Sequence, residues 1–422
     1  MAEADDQPDV GRGHTAATAH GERSRRALLS AAEERYRSHG YEATRLADIT
    51  SDAELTTGSL YRHFTGKDDI LAVLFDEHRA RLDHALDTAA SIASACSAWI
   101  ELGRAHRGLL RSAQETLRPR QPQTQRWSLA RDGWEQRMAK LLPARLVGPS
   151  RTVAAAIIVD GLEYYTLAET SGWFEVRDAD HVGGQIEQLV RDGMYDDPIG
   201  DASPSRAVLA GVQLDRTYFS WSVSDNQVLP ASGRGQKTWD RIREAATEVF
   251  ATLGFRAATV ADIAEAAGVS SATIYRYFED KEDLLLNLLT ATEHELVERR
   301  MYQLDAAGRH PVQEVYEGFM QLHRDRAGVF LAWSELNTPG STYERAWIDL
   351  HDILMTQMVK VWRRGQRNGL ITKNLDVQLM TEFYGSIHER SAYARVALGR
   401  ELGVTDRDVG GMLAQLYNGG LS

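Results

Sequence analysis

The sequence predicts an all-α protein built as two tandem copies of one unit, each a three-helix head followed by a larger helical domain. Three observations predict it. One segment recurs without a gap, its apolar residues fall at helical spacing, and capping residues and glycines bracket those stripes. The 422-residue length supports the same reading, because one ordinary core rarely serves so long a chain.

The recurring segments are GYEATRLADITSDAELTTGSLYRHFTGKDDIL (Gly40 to Leu71) and GFRAATVADIAEAAGVSSATIYRYFEDKEDLL (Gly254 to Leu285). About a dozen positions are identical and most others are alike, including Leu46 with Val260, Leu55 with Val269 and Leu60 with Ile274.

In the second copy, Ile242, Ala245, Ala246, Val249, Phe250 and Leu253 make the stripe of an amphipathic first helix, which Gly254 ends. Thr259 caps a second helix, whose buried positions are Val260, Ile263 and Ala264. Ala267-Gly268-Val269 is a tight turn, because glycine takes the left-handed conformation without a β-carbon clash. Ser270 caps a third helix and Asp280 a fourth, so the pair around Gly268 reads as a helix-turn-helix. The first copy is looser. Arg35 and His39 stand where Val249 and Leu253 stand, thinning the apolar stripe. Glu54 replaces Gly268, and a left-handed glutamate costs on the order of 1 kcal/mol. The first unit is therefore expected to be the less stable.

Composition excludes several classes. A net charge of −12 argues against bulk-charge coating of nucleic acid, although a few local cations suffice to meet phosphates. The single cysteine, Cys96, excludes an intrachain disulfide and reads as a buried thiol in a reducing compartment. No apolar run reaches membrane-spanning length and the opening MAEADDQPDV lacks a signal-peptide pattern, so no membrane partner and a cytoplasmic location are expected. Thirteen histidines prompt a search for metal sites, yet no H-E-x-x-H, no E-x-x-H pair and no paired-cysteine motif occurs. Nor does a phosphate loop or G-x-S-x-G elbow, so no enzyme, catalytic residue, metal or cofactor is expected.

The strings TVADIAEAAGVSSATIYRYFEDKEDLL and RLADITSDAELTTGSLYRHFTGKDDIL resemble the heads of the tetracycline-repressor (TetR) family of bacterial transcriptional regulators. The resemblance covers the two head regions only. It implies that the third helix of each head enters the DNA major groove and that its N-terminal side chains reach base edges. By position, the implied contacts are Thr56, Thr57, Ser59, Tyr61 and His63 in the first copy, and Ser270, Ser271, Thr273, Tyr275 and Tyr277 in the second. Tyr61 and Tyr275 match a tyrosine pressed against DNA, and Lys67 and Lys281 a phosphate-contacting lysine. A lysine in a helix's first turn is unfavourable by roughly 0.3–1 kcal/mol, and an arriving phosphate reverses that sign. Thr259 matches the family's capping threonine, where the first copy has Arg45, either a phosphate or base contact or a solvated cation. Arg23, Arg25 and Arg26 read as a basic arm along the backbone or as a solvated charge run.

The expected organisation is a disordered tail (1–21), a first head (22–85), a first helical ligand and dimerisation domain (86–200), a linker with room for one docked helix (201–236), a second head (237–298) and a second helical domain (299–422). The family resemblance implies that each helical domain encloses a small-molecule pocket. Its expected lining is Trp127, Trp134, Tyr164, Tyr165 and Trp173 in the first unit, and Trp333, Trp347, Phe383, Tyr384 and His388 in the second. Such aromatic walls suit a largely apolar inducer. Family members pair two identical chains, so the two domains here are expected to pack as an intrachain pseudo-dimer, with a homodimer of tandem chains as the rival. The expected function is a ligand-responsive repressor reading an asymmetric double-stranded DNA operator. The alternative is a first head that serves only as a structural or interaction module.

Overall fold

The computed structural model describes residues 10–118, 121–195, 233–298, 312–336 and 341–421, without the side chains of 10–18, 293–298, 342, 346, 347, 349–351, 353, 354 and 357. The first unit comprises α1 (Val10–His39), α2 (Leu46–Asp52), α3 (Thr57–Leu60), α4 (Lys67–Thr88), α5 (Ile92–Ala105), α6 (Arg107–Thr116), α7 (Pro122–Leu141), α8 (Gly148–Thr170) and α9 (Ala179–Asp192). The second repeats the order as α10 (Gly233–Leu253), α11 (Val260–Ala267), α12 (Ser271–Ile274), α13 (Lys281–Glu298), α14 (Val312–Asp325), α15 (Ala327–Leu336), α16 (Thr342–Arg367), α17 (Val377–Ala392) and α18 (Asp406–Gly419). A π-helical segment, Tyr393–Ala397, extends α17. No strand forms among the described residues; a lone bridge pairs Tyr195 with Ile371. The stretch read as a disordered tail differs, since α1 already begins at Val10. Most of the expected linker lies outside the described residues, and α10 begins inside its last part, at Gly233.

Capping chemistry sets the head boundaries. The Thr259 hydroxyl accepts from Asp262 N–H at 3.2 Å, while the Asp262 carboxylate accepts from Thr259 N–H at 2.8 Å, a reciprocal box. Arg45 keeps half of it: its N–H donates to Asp48 at 3.1 Å, but its side chain offers no acceptor in return. Gly268 closes α11 with φ 60°, and Glu54 adopts the same left-handed backbone with φ 54°. Arg35, placed where Val249 packs, instead makes a bidentate ion pair with Asp52 on α2.

Lys67 and Lys281 complete each head in an unexpected way. The Lys67 ammonium donates to Tyr41 O at 2.7 Å and Thr44 O at 3.2 Å, and lies 4.1 Å from the Tyr41 ring centre. Lys281 repeats this with Phe255 O at 2.9 Å, Ala258 O at 3.0 Å and the Phe255 ring at 4.5 Å. The charge that sits poorly at a helix's positive end is thus answered by carbonyls of the connection between the head's first and second helices.

Each head is fastened to its helical domain by the same device. Glu115 of α6 accepts from the N–H groups of Tyr41 (3.2 Å) and Glu42 (2.9 Å); Glu335 of α15 accepts from Phe255 (3.2 Å) and Arg256 (3.0 Å). Gly108 lets α6 lie against the backbone of Glu33, and Gly328 lets α15 lie against that of Thr247; a β-carbon at either would collide.

The two helical domains join through α8 and α9 of the first unit and α17 and α18 of the second, an intrachain pseudo-dimer. At the α8–α17 crossing a β-carbon on Gly161 would sit 2.5 Å from Phe383. Ion pairs cross the seam, Arg177 to Glu382 at 2.6 Å and Arg390 to Glu163 at 2.6 Å. Although burial alone would raise it, Arg131 and Arg390 hold the Glu163 carboxyl down at about 2. One hydrophobic core runs through the first head and both helical domains, whereas the second head has its own core and is linked to the first through Trp333.

Replacing Glu54 by glycine is expected to stabilise the first head by about 1 kcal/mol, because the left-handed backbone then carries no β-carbon penalty. An unchanged or lowered urea midpoint for that head would contradict this. Replacing Lys281 by methionine is expected to destabilise the second head by about 1–2 kcal/mol without any DNA present. Urea unfolding of the free protein measures it, and a purely phosphate-binding lysine would show no loss.

Candidate nucleic-acid interface and ligand cavity

The third helix of each head is only one turn long, so its cap does most of the positioning. Thr56 accepts from Ser59 N–H at 3.2 Å and Ser270 from Thr273 N–H at 3.3 Å, presenting both N-termini outward. Thr56, Thr57 and Ser270 are exposed, and Ser271 and Thr273 half-buried. Tyr61 and Tyr275, directly after these helices, are 59% and 57% exposed, a poor fate for a ring without a partner. Phe64 and Phe278 fill the core positions beside them. Thr259 and Arg45 are exposed at the head of the second helix.

Other expected contacts sit differently. Ser59 is buried, and its hydroxyl accepts from Arg62 at 3.0 Å, so it orients that arginine and does not face outward. His63 is half-buried beside Phe64, and Tyr277 packs on the second head's core. The lysines are turned into their own turns, as above. The proposed basic arm lies on α1: Arg23 bonds Ala19 O, Arg26 pairs with Glu22, and Arg25 reaches Glu77 at 3.5 Å. Sequence reasoning missed Arg62 and Arg276, both exposed, although the repeated Tyr-Arg pair signalled them. With Arg45 and Arg256 they place guanidinium groups on the heads of an acidic chain.

The ligand candidates separate sharply. A partly open cavity lies between the two units and not within either. Its walls come from α6, α7 and α8 on one side and from α14, α15, α17 and the π-helical segment on the other. Of the aromatic candidates, Trp127, Tyr164 and Trp333 line it. Trp134 does not; it is fully buried, packed edge-on against Trp99 and Trp127. Tyr165 is buried near Arg177, and the Trp173 Nε1 donates to Glu344 across the seam at 3.3 Å. Phe383 is the ring against Gly161, and Tyr384 packs on Trp362 and Tyr417. His388 is buried with Nδ1 2.9 Å from Tyr384 O. The side chain of Trp347 lies outside the described residues. The walls that the sequence did not reveal include Phe330, stacked on His323 at 3.7 Å, and Tyr393 and Glu389. A second cleft, between α4, α6 and α7 of the first unit, shares Trp127 and is rimmed by Asp68 and Asp69. No helix among the described residues is long and apolar enough to cross a membrane, and no cluster of metal-binding side chains occurs among them.

The pattern of the family described as "Bacterial regulatory proteins, tetR family" matches residues 28–74 and again 242–288. The chain is similar to the fatty acid metabolism regulator protein of Bacillus subtilis, 27% identical over 155 residues, which is 35% of this chain and 79% of that protein. It is similar to the transcriptional repressor KstR2 of Mycobacterium tuberculosis, 29% identical over 145 residues, 33% of this chain and 72% of that one. Among solved structures, FadR from Bacillus subtilis in complex with stearoyl-CoA is 23% identical, covering 42% of this chain and 97% of that chain with a TM-score of 0.35. Two matches to one head pattern and two copies of one nine-helix order among the described residues have one meaning. The chain is a DNA-binding transcriptional regulator of the TetR family, with two family units in tandem.

Proposed function

We propose that this regulator is a ligand-responsive repressor that acts as an intrachain pseudo-dimer, its two heads reading unlike half-sites of one asymmetric operator. The observation that carries the reading is the pair of third helices at the head surfaces, TGSL and SATI, non-identical at every matching position, on heads fixed to one frame. A two-fold pair of identical heads favours a palindrome; unlike heads favour unlike half-sites. Arg45 at one head and Thr259 at the other add a further difference.

Ligand response follows from how the heads are attached. The helices that clamp them, α6 and α15, also wall the cavity between the units. A small molecule that prefers one spacing of α6 and α15 shifts the head geometry by its differential affinity, and by no more. A largely apolar inducer accords with the cavity's aromatic walls and with the similarity to a fatty acid metabolism regulator protein.

Selection of bound DNA from a random pool is expected to return one site with two unlike halves, bound by a single chain in light scattering. A palindrome bound by a dimeric mass would favour four heads in a homodimer of tandem chains. Tyr61→Ala and Tyr275→Ala are each expected to weaken binding to the selected site roughly tenfold, with unchanged folding. If only Tyr275→Ala matters in a gel shift, the first head is a structural partner and the two-headed reading fails.

A further inference from the structure

We propose that the cavity between the units is a single shared site for an aromatic organic cation, anchored by the Glu389 carboxylate between walls of Trp127, Phe330 and Trp333. This rests on the ligand-responsive reading above and names the chemistry of its ligand. The walls are overwhelmingly apolar and aromatic, which suits a flat hydrophobic body. One of their two carboxyls lacks a partner. Glu163 and Arg390 answer each other at 2.6 Å, leaving Glu389 as a carboxyl facing the cavity with no hydrogen-bond or ion-pair partner among the described residues. An acid held in an aromatic enclosure is the combination that recognises a cation, through direct charge pairing and through the electron-rich ring faces.

The surrounding titratable groups leave Glu389 as the one that changes charge near neutrality. Burial pushes its carboxyl up to about 8, so in the empty cavity it holds a proton at pH 7. Burial pushes His323, on the facing α14, down to about 3 and His388, beside Glu389 on α17, down to about 4, keeping both rings neutral. Glu163, at about 2, stays ionised and paired with Arg390. The Tyr393 hydroxyl donates to Leu117 O at 2.7 Å, and Tyr164 presents only a phenol. A permanent cation therefore has to displace one proton, and its affinity rises with pH until the empty site is ionised.

One molecule in this cavity touches both levers. Ala113 of α6 is two residues from Glu115, which holds the first head, and Ser334 of α15 adjoins Glu335, which holds the second. Trp333 also packs on the second head's core.

The test uses the full chain with a biphenyl-trimethylammonium cation and its uncharged tert-butyl isostere, measured by calorimetry without DNA. The cation is expected to bind at one equivalent per chain, roughly tenfold more tightly than the isostere. Its affinity is expected to climb by up to about tenfold per pH unit below 8. Glu389→Gln, nearly isosteric, is expected to reduce the preference to what the ring faces alone supply and to abolish the pH slope. Two equivalents per chain, equal binding of the isostere, or a Glu389→Gln variant that keeps the pH slope overturns the proposal. The wild-type comparison with the isostere decides the matter even if that variant does not fold. A gel shift separates the two readings. Cation binding that leaves operator affinity unchanged keeps the site and removes the ligand response. Release of DNA by uncharged apolar compounds alone keeps the response and removes the site.

Discussion

The arrangement depends on one contact, α8 of the first unit lying against α17 of the second with no side chain at Gly161 to hold them apart. That approach turns two covalently joined units into one frame. It extends a single hydrophobic core from the first head through both helical domains. It also brings α6 and α15 to opposite walls of a common cavity, although each belongs to its own unit. A bulkier residue at position 161 would have to move Phe383 and Ile387 together, and interiors packed this tightly yield little. The heads inherit their mutual geometry from this crossing.

What the sequence reveals is what local chemistry determines. The caps Thr56, Thr259 and Ser270, the left-handed turn at Gly268 and even its strained counterpart at Glu54 lie where their side chains and backbone preferences put them. Each needs only neighbours a few residues away. An ammonium at a helix's positive end seeks negative charge, and here carbonyls some 25 positions upstream, between the head's first and second helices, supply it, a contact that local sequence does not display. Aromatic residues at helical spacing were the least legible. Trp127 walls the cavity while Trp134, two turns along the same helix, is core, and periodicity treats them alike. The cavity itself was illegible because its two sides come from different units. Glu389 stands out only once α17 is seen to bring it opposite the Trp127 face.

The charges in the seam explain why the units choose each other. Buried ion pairs add little net stability, yet removing one partner strands the other, so they discriminate strongly between pairings. The α8 helix brings Asp160 and Glu163 to the seam, and Arg390 of α17 and Arg131 of α7 answer them. Arg131 belongs to the same unit as these acids, whereas Arg390 crosses the seam, so two α8 helices from different chains, packed on each other, would leave Glu163 without Arg390. The Arg177–Glu382 pair has the same one-way character. The seam is therefore complementary and not self-complementary, the property expected of two halves meant to close within one chain.

That complementarity frees the heads from symmetry. In a pair of identical chains, any change to the reading helix appears twice, and both half-sites must follow it. Here the second copy keeps the reciprocal cap at Thr259 and the glycine at 268, while the first carries Arg45 and a left-handed Glu54. Those substitutions are locally unfavourable, and the first head tolerates them because it shares the large common core that the second head lacks. Stability supplied by packing at α1, α4 and α6 offsets poor turn chemistry at the DNA-facing end. A tandem regulator with one fused core can thus carry one conventional head and one divergent head on the same frame.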